Sequence, residues 1–270
     1  MKKSILIIFA IVITLSLTAF SMMNSNNSKA NELEVLLGHS EVKNTTAKDK
    51  ITNRIFTDFI YDVGPRFNPI KKTDLDKIRS FNDIIDQEHA NRIVEYKWVT
   101  VVLIIDDKES NVREFGTSDV LTEAQLKLLH SFDYSTNLMI AADYKGKNKE
   151  TGVLEDTHYT PYLTIVPEKQ AEYSQGNEAL KVYLKENSKA SRDKANVDPE
   201  KLQPAKLFFT VTRKGTIENV KLDRTSNYPL VDETMIELIT KLPGTWIPAE
   251  NHKGEKVNQE LVVSFGLMGC

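Results

Sequence analysis

A chain of 270 residues is long enough for one or two domains. Its 40% hydrophobic and 27% charged residues are the composition of an ordinary globular protein, and a net charge of −3 gives no basis for nucleic acid or an anionic surface as its partner. The single cysteine, Cys270, excludes a disulfide within the chain.

The first residues have the pattern of an export signal. Lys2 and Lys3 form a positively charged start, and an uncharged run rich in Ile and Leu follows over residues 5–20. Ala19 and Ser21 then place small residues where a signal peptidase reads the chain. We interpret residues 1–21 as a signal peptide or, if it is retained, an inner-membrane anchor, because about 20 apolar residues can span a bilayer. In both cases the rest of the chain is predicted to be exported.

Residues 22–54 are predicted to be a polar linker. Asn, Ser, Lys, Thr and Glu dominate this stretch, which has one short apolar patch at residues 33–37 and no proline. Such a composition cannot bury enough apolar surface to form a core. The globular part of the chain is therefore expected to begin near residue 55.

Residues 55–166 are predicted to form a first α+β unit. Its core is a strongly apolar strand over residues 98–105, which the turn Asp106-Asp107 reverses. A capping box at Thr122 and Gln125 opens a helix. The other predicted elements are strands at 59–61, 111–115, 138–142 and 162–166, a helix opening at Thr73 with apolar residues at 75, 78, 81, 84 and 85, and a turn at Lys145-Gly146.

Residues 167–270 are predicted to form a second α+β unit. A helix opens at Asn177, and two strands at 207–211 and 217–222 are joined by a turn in which Gly215 supplies a positive φ. Asp232 is predicted to cap a helix that carries an apolar stripe over residues 235–242. A corner at Trp246 and Pro248 leads to the final strand over residues 260–267, and Trp246 and Phe265 are expected to be buried.

The two units correspond at a nearly constant offset. Asn111-Val112 aligns with Asn219-Val220, residues 123–129 align with 233–239, and residues 140–142 align with 247–249. This pattern indicates a tandem duplication. We therefore predict an α+β fold of two tandem ββαβ-type units, each with an antiparallel sheet that helices cover on one face.

The last quarter to third of the chain resembles the C-terminal domain of the TonB family of energy transducers. The resemblance implies an exported domain that takes up an extended peptide of an outer-membrane transporter along a sheet edge. TonB-type transducers have a long Pro-rich spacer that residues 22–54 lack, so we expect the strand-pairing part of that role rather than force transmission. The residues that carry the resemblance are, in order, Phe209, Val211, Gly215, Ile217, Val220, Asp232-Glu233, Pro243, Trp246, Pro248-Ala249, Gly254, Val257, Val263 and Phe265.

The sequence contains no recognisable catalytic constellation. Its five histidines are scattered, and none forms the i, i+4 pair of a zinc protease motif. There is no nucleophile elbow and no Gly-rich phosphate loop, and the runs of carboxylates are typical of solvated faces. We therefore expect no enzymatic activity, no metal and no cofactor. One short motif, residues 64–67 (Gly-Pro-Arg-Phe), is interpreted only as a turn with a semi-buried arginine.

The predicted function is protein–protein interaction in the periplasm or cell envelope of a Gram-negative bacterium. The final strand ends the chain and is expected at a sheet edge, whose free backbone groups are covered by a segment of the same chain, by a second copy or by a partner's strand. The resemblance favours the partner, a strand of an envelope protein such as a transporter. The candidate contact residues are Glu260, Val262, Val263 and Ser264. Two other hypotheses remain open: a periplasmic sensor that binds a small ligand between the units, and a structural envelope scaffold.

We predict that the mature chain begins near Met22. The charged start, the apolar run and the small residues at 19 and 21 together favour cleavage at that point. Mass spectrometry of the protein from its host measures the N-terminus directly. An intact Met1 in the membrane fraction would instead identify residues 1–21 as an anchor.

Overall fold

Two main sheets, one mixed and one antiparallel, organise residues 59–267, the part of the chain that this computed structural model describes. The predicted export signal at 1–21 and the linker at 22–54 lie outside the described residues. Across residues 59–267, no helix is long and apolar enough to cross a membrane. At the level of fold class, the predicted α+β architecture is confirmed.

The elements are numbered here in chain order. The strands are β1 (Ile60–Gly64), β2 (Asn68–Lys71), β3 (Ile93–Ile105), β4 (Lys108–Gly116), β5 (Asn137–Lys147), β6 (Leu154–Tyr159), β7 (Tyr162–Val166), β8 (Glu172–Tyr173), β9 (Ala205–Val211), β10 (Ile217–Arg224), β11 (Trp246–Ile247), β12 (Ala249–Glu250), β13 (Lys256–Val257) and β14 (Gln259–Gly266). The helices are α1 (Lys72–Leu75), α2 (Gln87–Ala90), α3 (Glu123–Ser131), α4 (Asn177–Asn187), α5 (Lys189–Lys194) and α6 (Pro229–Thr240), with a 3₁₀ turn at Phe81–Asp83.

The N-terminal sheet has six strands in the described residues, ordered β2-β7-β5-β3-β4, with β6 also paired to β5. All pairs are antiparallel except β2 with β7. One face carries alternate strand residues such as Val99, Val101 and Ile140, which pack against α3 and the segment 75–85. The capping box of α3 is formed as predicted, because Thr122 accepts from the backbone of Gln125 and the Gln125 side chain accepts from Thr122.

The C-terminal sheet has four strands in the described residues, all antiparallel, ordered β1-β14-β9-β10. Helices α4 and α6 cover one face, where Leu184, Met235, Phe209 and Phe265 are among the core residues. Trp246 and Phe265 are both buried, which confirms the prediction for these two residues.

The β9–β10 hairpin requires a glycine at position 215. Gly215 has φ +77°, a left-handed conformation that side chains disfavour. A Cβ there would lie 2.4 Å from the carbonyl oxygen of Trp246, so the hairpin and the corner could not approach each other. The predicted glycine turn is confirmed, and its second role is to admit the backbone of the corner.

Three local predictions are wrong. The segment from Thr73 to Ile85 is not one helix, because the backbone of Arg79 and Phe81 bonds to residues 119–121 and breaks it after Leu75. Lys145-Gly146 is not a turn but part of β5. Asp232 does not begin its helix, which starts at Pro229; its carboxylate instead accepts from the Ser226 N–H in the preceding loop.

The grouping of residues 55–166 into one unit is wrong for β1, because β1 pairs with β14 of the C-terminal sheet. The chain therefore starts in one sheet, crosses to the other at residues 65–67 and returns after β7. The predicted alignment of residues 140–142 with the corner at 247–249 is also wrong. Residues 140–142 lie in β5, which pairs beside β3 as β14 pairs beside β9.

We predict that Leu207→Ala lowers the free energy of unfolding by about 2–5 kcal/mol, because the substitution leaves a cavity in a packed core. Leu207 lies in β9 and is 0% exposed. The matched control is Leu154→Ala in β6, where the side chain is 51% exposed and a change within about 0.5 kcal/mol is expected. Urea unfolding followed by circular dichroism measures both, and equal losses would contradict the assigned core.

Candidate interaction site

The final strand β14 is not at a sheet edge, so the predicted edge is wrong. It lies between β9 on one side and β1 on the other. Val262, Val263 and Ser264 pair with Gly64, Val63 and Asp62 of β1, and Glu260 lies just beyond the end of β1. The chain's own first strand thus occupies the position that was predicted for a partner's strand.

Hydrogen-bond directions along β14 follow from one contact. The N–H of Glu260 donates to the Ser135 hydroxyl oxygen of the N-terminal half at 2.9 Å, on the side of β14 opposite β9. N–H groups two residues apart in a strand point the same way, so those of Val262 and Ser264 point toward β1. A proline at position 262 would therefore break the pairing with β1 rather than a contact with a partner.

Strand β1 is anchored by side chains on its helix-covered face. Tyr61 and Val63 are buried in the C-terminal core, and the Tyr61 hydroxyl shares a hydrogen bond of 2.5 Å with the Ser188 hydroxyl. Burial raises the pKa of Tyr61, with the Ser188 contact opposing it. Just before β1, the Arg192 guanidinium lies 4.9 Å from the centre of the Phe59 ring, a favourable cation–π distance.

The same alternation identifies the free edge of β1. Asp62 and Gly64 direct their backbone groups at Ser264 and Val262, so those of Tyr61 and Val63 point away from the sheet. No strand within residues 59–267 pairs with this outer edge. Pro65 follows immediately and offers no N–H, which limits the edge to a short stretch.

The crossing at residues 65–67 holds the two sheets together through Arg66. Its side chain is only 5% exposed and makes an ion pair with Asp107, to which its Nε donates at 2.7 Å. Its Nη2 donates to Asp223 at 3.1 Å, and its guanidinium lies 4.6 Å from the centre of the Phe208 ring. Arg224 also donates to Asp107, at 2.9 Å. Asp107 lies in the β3–β4 turn and Asp223 in β10, so one arginine joins both halves.

Electrostatic shifts at this junction follow its partial burial. Burial alone would raise the pKa of Asp107, but the hydrogen bond and charge of Arg66 hold it below its usual value. Burial lowers the pKa of Lys206, against the attraction of Asp107. Burial raises the pKa of Glu260, with Arg66 opposing the shift. These charges therefore depend on one another across the junction.

An apolar contact accompanies the ionic one. Phe67 packs against Val102, Ile104 and Met139 on the face of the N-terminal sheet that the helices leave open. Its ring centre lies 5.3 Å from that of Tyr162. The Gly-Pro-Arg-Phe motif is thus the junction between the sheets and not only a turn.

Two open clefts meet at the end of β1. One, of about 610 Å³, is lined by Val63, Ala171 and Leu261, all of which belong to the helix-side core, together with Lys169, Ile247 and other residues. The second, of about 620 Å³, is lined by Asp62, Phe67, Tyr162 and their neighbours on the junction side. Residues 63–65 border both, so each face of the sheet has a cleft beside the same edge.

Two of the other sheet edges within residues 59–267, β10 and β4, are irregular. β10 carries two register shifts and a positive φ at Asn219, and β4 is bulged opposite the segment from Val102 to Ile104. Bulges of this kind discourage pairing with another strand. A further cleft of about 580 Å³ lies between the halves, lined by Asp133, Tyr134, Arg213 and residues 256–258.

Between residues 59 and 267, no group of three or more His, Cys, Asp or Glu side chains is placed to hold a metal ion. The least exposed histidine of that range, His89, shares a hydrogen bond of 2.5 Å with the Tyr144 hydroxyl, and burial lowers its pKa.

Sequence reasoning missed both β1 as the neighbour of β14 and Arg66 as the link. The strand and the Gly-Pro turn were recognisable in the sequence, but which sheet β1 joins depends on residues far away in the chain.

No family model, curated protein sequence or solved structure matches this chain. The resemblance to the TonB C-terminal domain therefore stays a prediction.

We predict that Arg66→Met lowers the free energy of unfolding by about 2–3 kcal/mol at pH 7, because it removes the cation that pairs with Asp223 and leaves Asp107 with only the more exposed Arg224. Since the pKa of Asp107 is lowered in the folded state, this stabilisation is present above the unfolded pKa of about 3.9 and is lost as the pH falls through the folded value. The difference between wild type and variant should therefore shrink between pH 5 and pH 3 in urea titrations.

The control is Arg224→Met, which removes a second and more exposed cation from Asp107. Because the Arg224 side chain is 46% exposed, a loss of about 1 kcal/mol or less is expected. Equal losses for both variants, or a pH-independent loss for Arg66→Met, would contradict the role assigned to Arg66.

Proposed function

We propose that this chain is an exported cell-envelope protein that binds a partner protein by strand addition, and that the added strand pairs with the outer edge of β1. The observation that carries the proposal is the unpaired outer edge at Tyr61 and Val63, with a cleft beside it on each face of the sheet. In strand addition, backbone hydrogen bonds supply affinity and pockets for alternate side chains supply specificity.

The geometry suits a short extended segment. Side chains of an added strand alternate between the two faces, so successive residues would enter the helix-side cleft and the junction-side cleft in turn. The helix-side cleft offers exposed Ile247 and charged Lys169 and Glu172, and the junction-side cleft offers Tyr162 and exposed Asp62. A partner segment with alternating apolar and polar residues fits both sides.

The resemblance to the TonB C-terminal domain supports the same class of function. Its expected binding mode is a peptide paired along a sheet edge, and in this chain β1 extends the sheet on that side by one strand. The envelope setting rests on the predicted export signal at residues 1–21, and a transporter of the outer membrane is the partner that the resemblance favours.

A duplicated origin of the two halves is part of this proposal. The three adjacent strands β4-β3-β5 have the same order as β10-β9-β14. In each set a helix precedes the third strand, α3 before β5 and α6 before β14. This order supports two ββαβ-type units, in which β5 rather than β7 corresponds to β14. Strands β2, β6 and β7 would then be additions to the first unit.

The second candidate function is small-ligand binding between the halves. The cleft at Asp133 and Tyr134 is lined from the other half by Arg213 and Lys256, so both halves contribute to its walls. This arrangement favours an anionic ligand near the two cations, in a periplasmic sensor or binding module.

Two adjacent substitutions are predicted to abolish partner capture by different routes. Val63→Pro removes an N–H that points away from the sheet, which an edge strand tolerates, while an added strand loses a hydrogen bond. Gly64→Trp fills the junction-side cleft, because nothing lies within 4 Å of a Cβ at this position. Each is compared with wild type in a pull-down from host envelope extract, after circular dichroism has shown that it is folded.

The controls separate strand addition from its alternatives. Gly64→Ala adds only a methyl group and should retain the partner, whereas Asp62→Pro removes an N–H that faces β14 and should dislodge β1. Recovery of the same partner by folded Val63→Pro and Gly64→Trp would exclude the β1 edge. Binding lost with Gly64→Trp but kept with Val63→Pro would indicate side-chain or ligand recognition in the cleft without backbone pairing.

A further inference from the structure

The open face of the N-terminal sheet carries two aromatic residues that are more than half exposed. Val99 and Val101 belong to the helix-side core, so Trp98, Thr100 and Val102 lie on the opposite face. Phe115 pairs directly with Thr100 across the β3–β4 ladder and therefore shares that face. Trp98 on β3 is 55% exposed and Phe115 on the edge strand β4 is 61% exposed, which are high values for side chains of this size.

This patch continues an interface that the chain already forms with itself. On the same face, Val102, Ile104 and Met139 are covered by Phe67 at the junction with the C-terminal half. Ala141, which pairs with Thr100, is partly buried beside them. The apolar strip therefore runs from the covered junction outward to Trp98 and Phe115, where the cover provided by residues 59–267 ends.

Most charges around the patch are paired. Lys97 pairs with Asp156 at 2.8 Å, Lys145 with Glu95 at 3.8 Å and Arg113 with Glu109 at 3.1 Å. Trp98 also lies opposite Asp143 across the β3–β5 ladder, so one further acidic group flanks the patch. A surface with matched charges does not repel its own copy, and it gives no net field that would attract a nucleic acid or an anionic membrane.

We infer that the Trp98–Phe115 face is the contact between two copies of this chain in a symmetric dimer. In a twofold contact the same patch meets itself, so an aromatic surface whose charges are mostly paired is self-complementary. Large aromatic residues in such a contact contribute most of the binding energy. The inference is independent of strand addition at β1, which lies on the other sheet.

The test uses the exported chain as purified from its host, at concentrations from nanomolar to high micromolar. Sedimentation equilibrium is expected to show a monomer that converts to a dimer. The chain has two tryptophans, of which Trp246 is buried, so iodide quenching of fluorescence reports on Trp98. Quenching should decrease over the same concentration range in which the dimer forms.

Substitutions then assign the contact. Trp98→Ser and Phe115→Ser change exposed side chains and should each weaken the dimer roughly tenfold or more. Val182→Ser on α4, also an exposed apolar residue, should leave the dimer unchanged.

A chain that stays monomeric, or a dimer that both variants form as well as wild type, would overturn the inference. Protection of Trp98 in the monomer would overturn it too, since another segment of the same chain would then cover the face. If a variant fails to fold, the quenching measurement on wild type still decides.

Discussion

The relative placement of the two sheets depends on one cation in a three-residue crossing. Arg66 lies just after β1 of the C-terminal sheet. It pairs with Asp107, in a hairpin turn of the N-terminal sheet, and with Asp223 of β10. A guanidinium can satisfy two carboxylates and lie over an aromatic ring at once, which a lysine ammonium cannot. Together with Phe67, which packs against the N-terminal sheet, Arg66 fixes the orientation of the two sheets at the crossing.

The junction also helps to fix the position of β1 beside β14. The strand is short, with five residues, and is held at one end by buried Phe59 and Tyr61 and at the other by the crossing. Because it pairs with β14, the C-terminal sheet carries its own covering strand on the side where a free edge was expected. A partner that pairs with this sheet must therefore either add outside β1 or displace it. Displacement would expose several buried side chains, at about 1.5–3 kcal/mol each, so addition outside β1 is favoured.

The β1 edge, the cleft at Asp133 and Arg213, and the Trp98–Phe115 face differ in the groups that they present to a binding partner. The β1 edge offers backbone hydrogen-bonding groups between two clefts, which suits an extended segment. The cleft at Asp133 and Arg213 offers charges from both halves, which suits a small polar ligand. The Trp98–Phe115 face offers apolar area without backbone groups, which suits another folded surface. The three surfaces share no lining residues, so each can be altered by substitutions of its own.

Local patterns in the sequence determined the elements whose cause is local. The capping box at Thr122, the Asp106-Asp107 turn, the glycine at 215 and the apolar alternation of β9 and β14 each follow from hydrogen bonds or periodicity within a few residues. The burial of Trp246 and Phe265 was likewise predictable from alternation. Tertiary structure alone decided three other points: the break after Leu75, the membership of β1 in the second sheet, and the role of Arg66. Each depends on partners that are distant in the sequence, namely the backbone of Asp119 and Leu121, strand β14, and Asp107 with Asp223. Pairing over such separations is set by which surfaces can be buried together, and no local window of the sequence contains that information.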